Sequence, residues 1–283
     1  MNKTFIFGLS LWMATLCLNS CSSSDAVDNG LSNTRVSEEL LNQEPLWTSE
    51  DFGYLDTSDY KTEQGTTWLW HDNFGRLTSI MLYIPATMDI DVLYRSPSSV
   101  DQLNGLYYQL GNDNELRIDS SQSYEFTVDT GMTSGFECYD QYYKGIKVYG
   151  VGYTVNYYNT PMGKRLAYTN GRLLTDLSVD TTPLITADQA KRIFASRLGE
   201  DVTKDWEAEL MVREFVLKKN GKDELEEHLI WHVKGSFYPE DEAKIITYLS
   251  STHIEEPLRH VAQIDAHTGR LLVEGHSLNI GQY

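Results

Sequence analysis

The stretch Thr186-Ala187-Asp188-Gln189-Ala190-Lys191-Arg192-Ile193-Phe194-Ala195-Ser196-Arg197-Leu198-Gly199 decides the fold. Its opening is a capping box, in which the Thr186 hydroxyl satisfies one orphan amide of a helix start and Gln189 reaches back to another. Ala190, Ile193, Phe194 and Leu198 then recur at helical spacing, and Gly199 ends the run. This is a short helix with one apolar face. The same grammar occurs earlier, where Ser99-Val100-Asp101-Gln102 opens a run carrying Leu103, Leu106, Tyr107 and Leu110 on one face, with Gly111 as its stop. Gly105 weakens this earlier helix by roughly 1 kcal/mol.

Strands follow each helix. After Gly111 the pattern reads as strands over 115–118, 124–128, 135–158 and 165–174, the last with a turn at Asn170-Gly171. After Gly199 it reads as strands over 206–217, 226–237 and 244–249, then a hairpin over 260–274. Asp265 and Gly269 supply the chemistry of that hairpin's tight turn, and His267 at its tip reads as solvated. Helix then antiparallel strands, twice, predicts an α+β fold of two tandem modules, each a short helix packed on a curved antiparallel sheet, a cystatin-like arrangement. Residues 45–178 form the first module with an N-terminal extension, 177–183 a linker, 184–276 the second module, and 277–283 a tail.

The central strand alternates. Tyr149, Val151, Tyr153, Val155 and Tyr157 point to one face, and Val148, Gly150, Gly152, Thr154 and Asn156 to the other. The nearly bare second face either receives a helix or marks a bulge or a partner segment. The first face is either an interdomain or half-exposed surface or a recognition stripe, which makes Tyr149, Tyr153 and Tyr157 candidate partner-binding residues. His276, Leu278 and Ile280 at the tail are further candidates, suited to lying extended along a partner.

Composition sets limits on function. Of 283 residues 41% are hydrophobic, enough for a sizeable core, and 41 acidic against 23 basic residues give a formal charge of −18. Such a surface repels phosphate backbones and argues against nucleic-acid binding. Residues 1–20 have the layout of a secretory signal, with Lys3 ahead of an apolar stretch too short for a membrane span. Leu18-Asn19-Ser20-Cys21 resembles the bacterial lipobox, which implies acylation of Cys21 and membrane attachment through lipid, most simply at the outer membrane. Residues 21–44 read as a flexible tether. Cys138, in a strand-like setting without a disulfide partner, reads as a small buried hydrophobe.

No catalytic constellation is legible. The chain lacks Gly-x-Ser-x-Gly, a phosphate-cradling glycine loop and Cys-x-x-Cys. His228-Leu229-Ile230-Trp231-His232 imitates a zinc motif, but on a strand residues four apart are separated by about 13 Å, too far to share one ion. The clusters Glu224, Glu226, Glu227 and Glu240, Asp241, Glu242 read as solvated faces. The expectation is a protein without enzymatic activity, metal or cofactor.

Three segments in order resemble the propeptides of thermolysin-type and fungalysin-type metallopeptidases, an FTP module followed by a PepSY module. They are Gln141 to Asn156 (with Lys147 where the family usually has Pro), the run Asp180-Thr181-Thr182-Pro183-Leu184-Ile185-Thr186-Ala187-Asp188-Gln189-Ala190, and Gln263 to Leu272. The resemblance covers about residues 97 to 276 and leaves 45–96 unassigned. It implies a free-standing propeptide-like protein that binds a metallopeptidase in trans as inhibitor or folding chaperone. A cell-surface binding or adhesion module is the alternative, since a fold does not fix a function.

Overall fold

The computed structural model describes residues 35–55, 60–64, 67–83, 89–127, 133–238 and 258–276. Cys21, the cluster at 240–242, the expected strand at 244–249, Leu278 and Ile280 lie outside the described residues. In chain order the elements are β1 (Tyr60–Gln64), β2 (Thr67–His71), β3 (Leu77–Met81), α1 (Ile90–Arg95) and α2 (Val100–Leu103). There follow β4 (Asn114–Thr127), β5 (Thr133–Tyr143), β6 (Ile146–Thr160), β7 (Gly163–Asn170) and α3 (Ala187–Leu198). The second half closes with β8 (Glu207–Lys219), β9 (Lys222–Phe237), β10 (Arg259–Asp265) and β11 (Leu271–His276).

The fold is α+β. Strands β4 to β7 form one antiparallel meander and β8 to β11 another, each preceded by helix. The meanders are not separate sheets. Strands β6 and β8 pair in parallel at Lys147–Met211 and Val148–Val212, so that both meanders and the β1–β3 strands make one large open sheet. One apolar core serves both halves, drawing Val100, Leu103 and Tyr108 from the first helical segment and Ala190, Ile193 and Phe194 from α3.

Helix α3 is as the sequence predicts. Thr186 Oγ1 accepts from the Gln189 amide at 3.2 Å, Gln189 Oε1 accepts from the Thr186 amide at 2.8 Å, and Gly199 ends the helix at φ 69°. The earlier helix departs from expectation. It is α-helical only over α2, continues as a wider π turn over Asn104–Tyr108, and stops at Gln109 with φ 52° instead of at Gly111. The wider turn rotates the apolar face: Tyr108 is buried, its ring edge-on to Tyr153 at 5.4 Å, while Leu106 is left 63% exposed.

The run 135–158, read as one strand, is the hairpin of β5 and β6. Lys144 and Gly145 turn it with φ 48° and 82°, the two-residue geometry whose twist suits a hairpin. Chain order also begins earlier than the tether boundary anticipated. Val36 is buried, and Gln43 donates to the carbonyls of Leu40 (3.0 Å) and Gly269 (2.9 Å). Beyond it a strap crosses the outer face of the second meander. Leu46 and Trp47 donate their amides to Leu271 and Leu272, and Phe52 bridges Leu217. Trp47 and Phe52 pack with Met211, Phe215 and Leu272 in a second apolar cluster.

Candidate functional site

Strand β6 changes neighbours along its length. Thr154 to Thr160 run beside β7, whereas Lys147 and Val148 run beside β8. Between these stretches the register against β5 slips, with Asp140 opposite Gly152 but Tyr142 opposite Lys147. Gly150 absorbs the slip at φ 71°, a left-handed conformation that glycine adopts without a Cβ penalty. At the same place the chain leaving β7 passes so close that a Cβ on Gly171 would lie 1.8 Å from the Gly152 carbonyl oxygen.

The kink resets the alternation of side chains. Val148 and Val151 both face the core, and Tyr153, Val155 and Tyr157 continue that face. This splits the expected tyrosine stripe. Tyr153 and Tyr157 are core residues, 1% and 8% exposed, and cannot form a recognition surface, while Tyr149 stands on the opposite, outer side. The glycine face is likewise not crossed by a helix, since a Cβ on Gly150 or Gly152 would meet nothing within 4 Å. Tyrosine and valine took the helices because burial of large apolar rings outweighs the convenience of a bare surface.

Over the two glycines lies a cavity of about 460 Å³ between the halves of the molecule, with Asp140 and Lys147 on one side and Glu209, His232 and Lys234 on the other. The Tyr149 ring lies tilted against His232, with 4.9 Å between centroids and 35° between planes. Beside Tyr149 the guanidinium of Arg213 lies 4.9 Å from its ring centroid and 4.5 Å from that of Phe215, and it donates to Gln263 Oε1 at 2.6 Å. Lys147 Nζ contacts Asp140 at 2.7 Å, whereas Lys234 Nζ is a looser 3.7 Å from Glu207.

The electrostatics follow from burial. His232 is 7% exposed, and desolvation, reinforced by the Lys234 and Arg213 cations and opposed by Glu207, lowers its pKa to about 4. The imidazole is therefore neutral at physiological pH. Burial pulls the Arg213 guanidinium down to about 10 despite its tyrosine neighbour, and raises the Tyr149 hydroxyl against the opposing effect of Arg213. For Lys147 burial pulls the pKa down, but the hydrogen bond and charge of Asp140 outweigh it and hold the ammonium above its ordinary value.

Other sequence candidates lie elsewhere. His228, four residues before His232 on β9, shares a 2.8 Å hydrogen bond with Asp265 through Nδ1. Burial would raise the Asp265 carboxyl, but His228 and the Thr268 amide and hydroxyl hold it at about 2. His276 pairs with His260 across β10 and β11, its ring 6.0 Å from Tyr238, and its Nδ1 is buried without a partner. His267 is half-buried with Nε2 unpartnered instead of solvated, and Cys138 is half-buried, its thiol donating to the Gln122 carbonyl at 3.4 Å. Glu226 and Glu227 are not simply solvated: Glu226 pairs with Lys219, and Glu227 accepts from the Ser178 amide at 2.9 Å.

Sequence reasoning missed a buried charge network. Glu214, 7% exposed, accepts from Arg76 at 2.5 Å and Arg172 at 3.1 Å, and Arg76 also binds Asp72 at 3.0 Å. It ties the β2–β3 turn, the end of β7 and β8 together. The available signal was Arg213-Glu214, two charges inside the apolar run from Leu210 to Leu217.

No family model matches the chain, and no curated protein matches it. Among solved structures it is similar to the Bacillus megaterium YpeB C-terminal domain, at 11% identity and a TM-score of 0.29, over 79% of this chain and 88% of that one.

Proposed function

We propose that this protein is a non-catalytic, propeptide-like binding protein with a PepSY-like second half, held on the bacterial envelope by acyl chains on Cys21, which engages a metallopeptidase in trans as inhibitor or folding chaperone. The observation that carries the reading is where the three family-like segments fall. Gln141 to Asn156 makes the β5–β6 turn and the kink of β6. The run 180–190 docks the Leu184 and Ile185 amides on the Ala266 carbonyl before capping α3, and Gln263 to Leu272 closes the β10–β11 hairpin. All three are joints of the repeated helix-plus-meander unit, which is what a shared architecture requires of its most sequence-restricted positions.

The test is direct. Added to a secreted zinc peptidase of the same envelope, the purified protein is expected to abolish hydrolysis of a fluorogenic peptide stoichiometrically or to raise the refolding yield of the denatured peptidase. Absence of both effects, with no complex on size exclusion, refutes the reading. Cys21→Ala is expected to move the protein to the soluble fraction with loss of the acyl mass, since lipid alone holds an acidic domain there. Unchanged fractionation refutes the anchor.

One observation favours the second reading, a surface binding module. Tyr124 and Phe126 on the edge strand β4 are 59% and 42% exposed and cluster with Phe136, at 5.2 and 6.2 Å between centroids. If Tyr124→Ala abolishes attachment of cells to a host or glycan surface while peptidase inhibition is untouched, the binding module is the function.

A further inference from the structure

We propose that the cavity above Gly150 and Gly152 is a binding site for a carboxylate, carried by a peptide C terminus or a free amino acid, with His232 and Lys234 as the donors to its oxygens. The inference does not depend on the peptidase partner.

Four features of the cavity point to this chemistry. First, the His232 ring has one buried nitrogen without a partner, Nδ1, and among the described residues its Nε2 has no hydrogen-bond partner either. A buried N–H lacking an acceptor is the costlier arrangement, so the proton belongs on Nε2, the less enclosed nitrogen of a ring that lines the cavity. A neutral imidazole then presents a donor, already oriented by its contact with the Tyr149 ring. Second, Lys234 lines the same cavity and is only loosely engaged by Glu207 at 3.7 Å, which leaves its ammonium able to meet a second oxygen. Third, the cations Lys234 and Arg213 act on the His232 ring more strongly than Glu207 opposes them, which favours an anion beside it. Fourth, two residues without side chains form the floor, and about 460 Å³ stands open above them.

The rim also limits what enters. Asp140 is occupied by Lys147 at 2.7 Å, but Glu209, the cross-strand neighbour of His232, carries a negative charge beside the donors. A dianion is repelled there. A single carboxylate is accepted, and an ammonium on the same ligand would face Glu209.

The experiment uses the full chain with ¹⁵N-labelled histidine and follows the His232 ring resonances by NMR. Three probes are titrated to millimolar concentration: N-acetyl-Ala-Ala, the same dipeptide as its C-terminal amide, and free alanine. The acid is expected to shift His232 saturably and the amide to leave it unmoved. Free alanine binding as tightly as the peptide acid assigns the site to a small metabolite, and preference for the peptide acid assigns it to a C terminus. Lys234→Met is expected to weaken binding of the acid by about tenfold, equivalent to about 1.4 kcal/mol. Gly152→Leu, which fills the cavity at a position where a Cβ meets nothing, is expected to abolish binding. Equal binding of acid and amide, no shift of His232 with any probe, or unaltered affinity in a folded Lys234→Met protein would each overturn the proposal.

Discussion

Acidification is expected to destabilise the protein through His232, in a window that burial sets. The imidazole titrates at 6.5 when the chain is unfolded and at about 4 in the fold. Between those values the unfolded chain binds the proton that the native state refuses, so stability falls as pH falls and the loss is complete below the lower value. From about pH 7.5 to pH 4.5 the loss amounts to about 2–3 kcal/mol, most of what the full shift represents. Lys234 and Arg213 deepen the shift, Glu207 opposes it, and Asp140, Glu209, Lys147 and Tyr149 are the other charged and titratable groups around the cavity. His232→Phe keeps a ring against Tyr149 and removes the proton site, along with the unpartnered Nδ1, so its stability near neutral pH is expected to match or exceed the parent. Urea unfolding followed by tryptophan fluorescence at stepped pH measures both proteins. His276 is shifted downward in the same direction by burial and by His260, so the comparison is repeated in a His276→Asn background. Asp265 acts in a separate window: with its folded pKa at about 2 against 3.8, its contribution is present above 3.8 and is lost as pH falls through the folded value. Parallel pH profiles for the parent and His232→Phe between pH 7.5 and pH 4.5 would show that His232 is not held neutral by its surroundings.

Three other perturbations test the architecture. Gly152→Ala is expected to be tolerated, because its Cβ meets nothing, whereas Gly150→Ala at φ 71° is expected to cost about 1–2 kcal/mol in thermal unfolding; equal costs would contradict the kink. Glu214→Ala strands Arg172 in a buried setting and leaves Arg76 to Asp72 alone, and is expected to cost about 3–5 kcal/mol by chemical denaturation, and a cost below about 1 kcal/mol would mean that water reaches the network. Trp47→Ala, which removes a half-buried ring from the strap, is expected to cost about 2 kcal/mol and to speed hydrogen exchange at the Leu46, Trp47 and Gly53 amides, while unchanged exchange would place the strap's stability elsewhere.

What was legible in the sequence depended on whether the signal was local. The α3 capping box and its four apolar positions needed only neighbours within one turn, and helix, cap and stop all stand as expected. The first helix failed for a reason that is also physical. Placing Tyr108 against Tyr153 and Thr169 requires an extra residue per turn, and no local propensity reports what a tyrosine will meet on a strand far along the chain. The strap over 46–53 was illegible on the same grounds, since its partners are Leu217, Leu271 and Leu272, at the far end of the sequence.

The candidate site was half visible. Two glycines at alternate positions of a long strand announced that something unusual occurs at Gly150 and Gly152, and a bulge was among the readings left open. Strict alternation then put Tyr149, Tyr153 and Tyr157 on one face, because period two holds only while the backbone stays extended. One residue at positive φ is enough to exchange the faces on either side of it. The exchange is forced by topology. A strand that pairs with β7 at one end and in parallel with β8 at the other must bend between them, and a bend in a paired strand needs a residue free of Cβ. That bend bares the floor of the cavity, turns Tyr149 outward to meet His232, and brings groups from both meanders around the opening. The pocket therefore belongs to neither half of the chain. It exists only where the two repeats share a sheet and a core, so the site depends on both.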